Sequence, residues 1–229
     1  MTAVAIDTKA TDPTATAPQP FTNRLLSVLQ LFDRCRGAVA ITSRTIHGIG
    51  RTEFAFVPPI RGVPFPILDA IRDREGLRFA PSTQDGGRGQ DLPAAFVLWR
   101  LKEDASARRY VVVAEEQQRV REALAGFALP PAFFIDCQHE VVALWPLTAP
   151  LAVDKDPERA SALLARLAER LSGDVEVTKD PTATLPIAGA IRSWNSNPPD
   201  FVDVIEVQPE ARYTVEALEE ALGPKGDSR

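Results

Sequence analysis

Residues 131 to 151 read PAFFIDCQHEVVALWPLTAPL, and this stretch decides the fold. Ala132 to Asp136 is short, apolar and aromatic. Cys137, Gln138 and His139 form a tight polar turn. Glu140 to Leu147 is a second run, apolar almost throughout. Short apolar runs bounded by turn residues and Pro fit strands buried on both faces. The turn holds one of the two histidines of the chain, close to an Asp and a Cys. It is the first place to look for part of a polar site.

Outward from this pair, the pattern alternates between the two periodicities. Ala94 to Lys102, AAFVLWRLK, is a strand whose far end turns polar. A helix follows over about 113–126, with Val113, Val120 and Leu124 on one face. After the strand pair, Pro157 to Ser172 carries Ala160, Leu163, Leu164, Leu167, Ala168 and Leu171 as one stripe. Asp156 is its cap, Pro157 occupies the first turn and Gly173 ends it. Phe201 to Val207 is the last strand, and a terminal helix spans about 215–222. Residues 94 to 207 therefore run strand, helix, strand, strand, helix, strand. That is the split βαββαβ core of the ferredoxin-like or RNA-recognition (RRM) type, an α/β (α+β) class.

Ahead of this core, a helix from Thr22 or Asn23 to about Arg36 precedes strands at 38–42 and 53–57, a short helix at 67–74 and a short strand at 77–79. The expected organisation is a disordered tail over 1–20, an N-terminal α/β module over 21–92, an RRM-like core over 93–222 and a tail over 223–229. Residues 80–92, APSTQDGGRGQDL, read as a surface loop. A Gly-rich loop that cradles phosphate needs a strand before it and a helix after it. Here a strand follows, although Arg88 can still reach an anion from such a loop.

The 229 residues are 45% hydrophobic with a formal net charge of −5, enough to bury a core and without a global basic field. A local basic groove stays compatible with that total. The two cysteines, Cys35 and Cys137, suit neither a disulfide framework nor a zinc site, and reduced thiols are expected. No run approaches the roughly 20 apolar residues of a membrane span, and no signal pattern opens the chain. A soluble cytoplasmic protein is expected.

Four phrases, in this order and spacing, resemble the archaeo-eukaryotic primase superfamily, in its bacterial, phage and plasmid primase-polymerase (RepB-like) branch. They are GGRGQDLPAAFVLW, FFIDCQHEVVALWPL, LLARLAERLSGD, and TLPIAGAIRSWNSNPPDFVDVIEV followed by RYTVEAL. The resemblance covers about 75–215. It implies template-directed nucleotidyl transfer on two divalent cations, Mg²⁺ or Mn²⁺. Two metals about 4 Å apart need bridging carboxylates to activate the primer oxygen and neutralise the triphosphate. The resemblance places two alternating acids at the end of the first strand, a His after a small residue, and a later acid.

Those positions are altered here. The acid pair falls on Arg100 and Lys102, which cannot bind Mg²⁺. Glu103 and Asp104 follow, and Asp104 serves as a metal ligand only if the strand ends early. Counted back from Trp145 the His falls on Val142; read as small-x-His, it is His139. Asp174 matches the later acid, with Asp180 nearby. The arginine before the Leu-Pro phrase is Thr184.

Each residue also has a plain role to weigh. His139 is a solvated turn residue or a contact to triphosphate. Asp136 is a turn-former or a metal ligand. Trp194, beside Arg192 in RSWNSNPP, stacks on a base or pins its loop to the core. Three readings follow. An active primase-polymerase uses His139 and Asp174 as catalytic residues, Asp174 and Asp104 on metal, and nucleoside triphosphates. A degenerate domain binds single-stranded DNA or primer-template through Arg88, Arg100, Lys102, Arg192 and Trp194. A structural domain does neither. No Walker-type motor loop is present, so work in replication implies partners such as a helicase. No membrane role is expected.

Overall fold

The computed structural model describes residues 29–44, 51–56, 76–86, 88–101, 109–137, 140–187, 191–193, 200–207 and 210–223. The expected tails (Gly223 apart), the start of the first helix and the helix at 67–74 lie outside these residues. A 3₁₀ turn, Gln30–Phe32, leads into β1 (Val39–Arg44), β2 (Arg51–Phe56) and β3 (Arg78–Phe79). β4 (Gln84–Asp85), β5 (Arg88–Gly89) and β6 (Asp91–Arg100) come next, then α1 (Arg109–Ala125). β7 (Phe133–Asp136) and β8 (Glu140–Ala152) precede α2 (Pro157–Arg170) and the short α3 (Val175–Thr178). β9 (Leu185–Pro186), β10 (Ile191–Ser193), β11 (Asp200–Phe201), β12 (Asp203–Val207) and α4 (Val215–Ala221) complete the order.

The strands form two four-stranded antiparallel sheets, ordered β12-β7-β8-β6 and β2-β1-β3-β9, and two small hairpin-like pairs, β4-β5 and β10-β11. In the first sheet β8 lies between β6 and β7; the expected RRM-type order would put the last strand beside β6, but β6 is at the edge. The last strand, β12, joins at the outer edge of β7. The expected α/β class of primase-polymerase type is the one observed. The opening pair of strands is buried on both faces as its composition requires: Phe133 to Ile135 and Val141 to Leu147 are all core. Trp145 is fully buried, and its indole N–H donates to the Leu129 carbonyl at 2.8 Å.

β8 continues five residues past the expected end at Leu147, through Pro150 to Ala152. Prolines usually argue against a strand interior. Here Pro93 lies at a register shift in the β6–β8 ladder, between Leu92 and Ala94, where a donor is not needed. The stretch 80–92 is not a plain loop either. Gly86, at φ +55°, turns the chain between β4 and β5, and Gln84 exchanges backbone hydrogen bonds with Ala38. β9, from the Leu-Pro phrase, pairs with β3, so residues far apart in sequence share the second sheet.

One hydrophobic cluster runs from Leu29 and Phe32 through β1, β6, β7, β8 and α2 to Leu218. An ion-pair bridge helps close it. The Arg36 guanidinium reaches the buried Asp91 at 2.6 Å and Asp154 at 2.7 Å, tying the N-terminal turn to the start of β6 and the end of β8. The Cys35 thiol is pushed up to about 12, mainly by burial, which keeps it protonated and unreactive.

α2 follows the expected pattern. The Asp156 side chain accepts from the Arg159 N–H at 2.9 Å, Pro157 opens the helix, and Ala160, Leu163, Leu164, Leu167 and Ala168 are buried. Its end differs from the expectation. Ser172, at φ 56°, makes the left-handed turn, and Gly173 does something else. A Cβ on Gly173 would stand 2.3 Å from Val97 Cγ1 and 3.2 Å from the Leu98 carbonyl oxygen. Glycine is needed there because the chain lies directly against β6.

Gly173→Ala is therefore expected to destabilise the fold by about 2 kcal/mol through overpacking. Gly126→Ala, where a Cβ meets nothing closer than 3.7 Å, is expected to change it by less than about 0.5 kcal/mol. Urea denaturation of both variants checks the pair; similar losses would contradict this account of Gly173.

Candidate functional site

β6 is an edge strand, and edge strands expose unpaired backbone groups. The segment after α2 covers this one. The Asp174 N–H donates to the Leu98 carbonyl at 2.8 Å. The Leu98 N–H donates to Thr178 Oγ1 at 3.1 Å, and the Trp99 indole N–H to the Leu171 carbonyl at 3.0 Å. This docking carries Asp174 to the end of β6, beside Arg100.

Strand register gathers the rest. Arg100 lies opposite Glu140, Val141 opposite Asp136, and Asp136 opposite Asp203. The end of β6, the start of β8, the end of β7 and the start of β12 thus form one row. Arg100 Nη1 stands 3.5 Å from Asp174 Oδ2, and its Nε 3.9 Å from Glu140 Oε1. Arg78 reaches the same acid from β3, with Nη1 2.6 Å from Glu140 Oε2. Its Nε and Nη2 donate to Thr184, at 3.1 Å to Oγ1 and 2.6 Å to the carbonyl oxygen. A chain of contacts results: Thr184, Arg78, Glu140, Arg100, Asp174. Asp136, at the next position in the row, accepts from the Gln117 side chain of α1.

The structure brings only some of the expected residues together. Asp174 and Arg100 meet. Arg88 is exposed on β5. Arg192 has its backbone in β10, and its side chain is not described. Lys102, Asp104, His139 and Trp194 lie outside the described residues. Val142, the alternative position for the His, is fully buried in β8.

Asp174 is occupied. Its Oδ1 accepts from the Val177 N–H at 3.1 Å as the cap of α3, while Oδ2 faces Arg100. Asp180 holds the N–H and hydroxyl of Thr182 at 2.8 and 2.7 Å. Among the described residues, no three His, Cys, Asp or Glu side chains gather in a group able to hold a metal. The described donors do not fit a two-metal centre, because Glu140 and Asp174 already face guanidinium groups and Asp136 is held by Gln117.

Arg78 and Glu140 were not among the expected site residues. Glu140 was visible as the residue that starts β8. Arg78 carried no local signal, since only the pairing of β3 with β9 brings it to Thr184. The resemblance expects an arginine at the position of Thr184, and a guanidinium does sit there, supplied from β3.

No protein-family model and no curated protein matches the sequence. Solved structures do match. The AEP (archaeo-eukaryotic primase) domain of the cyanophage S-2L primase-polymerase is similar at TM-score 0.58 and 13% identity, over 88% of this chain and 97% of that one. The primase RepB' is similar at TM-score 0.56 and 12% identity, over 89% of this chain and 62% of that one. The catalytic domain of the same primase, in complex with initiator DNA, gives TM-score 0.54 and 12% identity, over 87% and 93%. At such identity the likeness shows the fold, and the fold is that of primase-polymerase domains.

Arg78→Ala removes four hydrogen bonds and leaves Glu140, only 18% exposed, without its closest partner. The expected loss is about 2–3 kcal/mol. Arg100→Ala breaks two longer, more exposed contacts and is expected to lose under about 1 kcal/mol. Denaturation at neutral pH compares them. An equal loss would show that Arg78 does not clasp the two sheets.

Proposed function

We propose that this chain is a nucleic-acid-binding protein of primase-polymerase fold, serving the replication of bacterial, phage or plasmid DNA in the cytoplasm without transferring nucleotides itself. The observation that carries the reading is Arg100. Where the resemblance requires the first metal-binding carboxylate, a guanidinium extends from the end of β6 and pairs with Asp174. It is 59% exposed, so it stays open to a phosphate. DNA as the ligand class is supported by the similar RepB' catalytic domain, which is bound to initiator DNA.

In this reading Arg88, Arg100, Lys102 and Arg192 contact phosphates and Trp194 stacks on a base. Single-stranded DNA or primer-template is the ligand, and a helicase or other replication protein supplies the motor. A second reading is an active primase-polymerase. It draws on the row formed by Asp136, Glu140 and Asp203 at the strand ends near Asp174. That reading assigns Asp174 and Asp104 to Mg²⁺ or Mn²⁺ and His139 to a nucleoside triphosphate.

Two measurements separate these readings. Affinity for single-stranded DNA is expected to fall with salt at a log–log slope of about −3, from about −0.7 for each of four cations. Primer extension with Mn²⁺ or Mg²⁺ and all nucleotides is expected to give no product. Product that disappears in Asp174→Ala would establish the enzyme instead.

A further inference from the structure

Among the described side chains around Arg100, two arginines, Arg78 and Arg100, face Glu140 and Asp174, while Asp136, further along the row, accepts from Gln117. A two-metal site works the other way, with carboxylates in surplus that only divalent cations cancel. Here arginine side chains face the two carboxylates nearest Arg100. Glu140 turns Oε2 to Arg78 and Oε1 to Arg100. Asp174 turns Oδ1 to the Val177 N–H and Oδ2 to Arg100. All four carboxylate oxygens face N–H groups. A divalent cation entering between them competes with a guanidinium that is tethered to β6 and cannot diffuse away.

The two arginines are not equivalent. Arg78 spends its donors on Glu140 and Thr184 and is largely covered. Arg100 sits 3.5 and 3.9 Å from its acids, longer than the roughly 2.7–2.9 Å of a charge-assisted hydrogen bond. It therefore keeps donors directed to solvent, and its planar fork matches a phosphate.

Resting on the nucleic-acid reading above, we propose that Arg100 is the resident cation of this site, so that the site takes a nucleic-acid phosphate without any divalent metal. Glu140 and Asp174 orient the guanidinium, and Arg78 holds Glu140 in place. The ligand class is a phosphodiester bound by charge and fork geometry, with no bond made or broken.

The test measures fluorescence anisotropy of a labelled single strand of about 20 nucleotides, in EDTA and in MnCl₂ at matched ionic strength. Wild-type affinity is expected to agree within about twofold between the two buffers. Arg100→Gln, which keeps the size and removes the charge, is expected to bind about tenfold more weakly in both. Arg100→Asp, which puts a carboxylate in place of the guanidinium, is expected to lose binding in EDTA and regain part of it with Mn²⁺. Electron paramagnetic resonance of Mn²⁺ gives a second readout, with no bound ion in wild type and bound ion in Arg100→Asp.

Wild type that needs Mn²⁺ to bind DNA, or that holds Mn²⁺ on its own, overturns the inference and leaves the nucleic-acid reading standing. Wild type that binds DNA in neither buffer overturns that reading, and this inference with it. Should Arg100→Asp not fold, the wild-type and Arg100→Gln measurements still decide.

Discussion

The contact on which the rest depends is the close approach of Gly173 to β6. Without a Cβ the chain lies against Val97, and the Asp174 N–H and Thr178 hydroxyl bond both backbone groups of Leu98. This closes an edge that would otherwise expose unpaired groups. It fixes the end of α2 on the sheet, with Trp99 anchored to the Leu171 carbonyl. It also sets the position of Asp174. Backbone packing therefore places the acid at Arg100.

Two guanidinium clasps then tie distant segments together, and the second joins the two sheets. Arg36 binds the buried Asp91 and reaches Asp154, and Arg78 spans Glu140 and Thr184. Both link segments more than fifty residues apart. Breaking one partner of such a pair leaves a half-buried charge, which is the costly direction. The two clasps differ in what they serve: Arg36 secures the start of β6, far from the candidate site, and Arg78 secures its neighbourhood.

Much of the fold was legible because it follows from local periodicity. The stripe from Ala160 to Leu171, the cap at Asp156 and the apolar runs on either side of the 137–139 turn each announce an element. What was not legible depends on register. Nothing near Arg78 says that it will meet Thr184, because β3 and β9 are about a hundred residues apart. Gly173 looked like a helix stop, since local reading cannot see Val97 beneath it. The hairpin at 84–89 was hidden by its glycines, which read as a loop. At the site, Asp174 and Arg100 were each identified, yet their pairing follows only from the docking on Leu98. Lys102, Asp104, His139 and Trp194 lie outside the described residues, so their places in the fold rest on sequence alone.

Together these features describe a primase-polymerase fold in which Glu140 and Asp174 face arginines. The net charge of −5 does not oppose binding of a polyanion, because Arg100 sits at one sheet end while the Glu216, Glu219 and Glu220 carboxylates belong to α4. Two of those acids are drawn to Arg159 of α2, at 3.2 and 3.0 Å. The most direct measurement is a crystal structure of the chain grown with a single-stranded oligonucleotide and Mn²⁺, with data collected at the manganese absorption edge. The account predicts a phosphate on Arg100 and no anomalous peak between Glu140 and Asp174. A manganese ion ligated by Asp174, with Arg100 swung away, would contradict it.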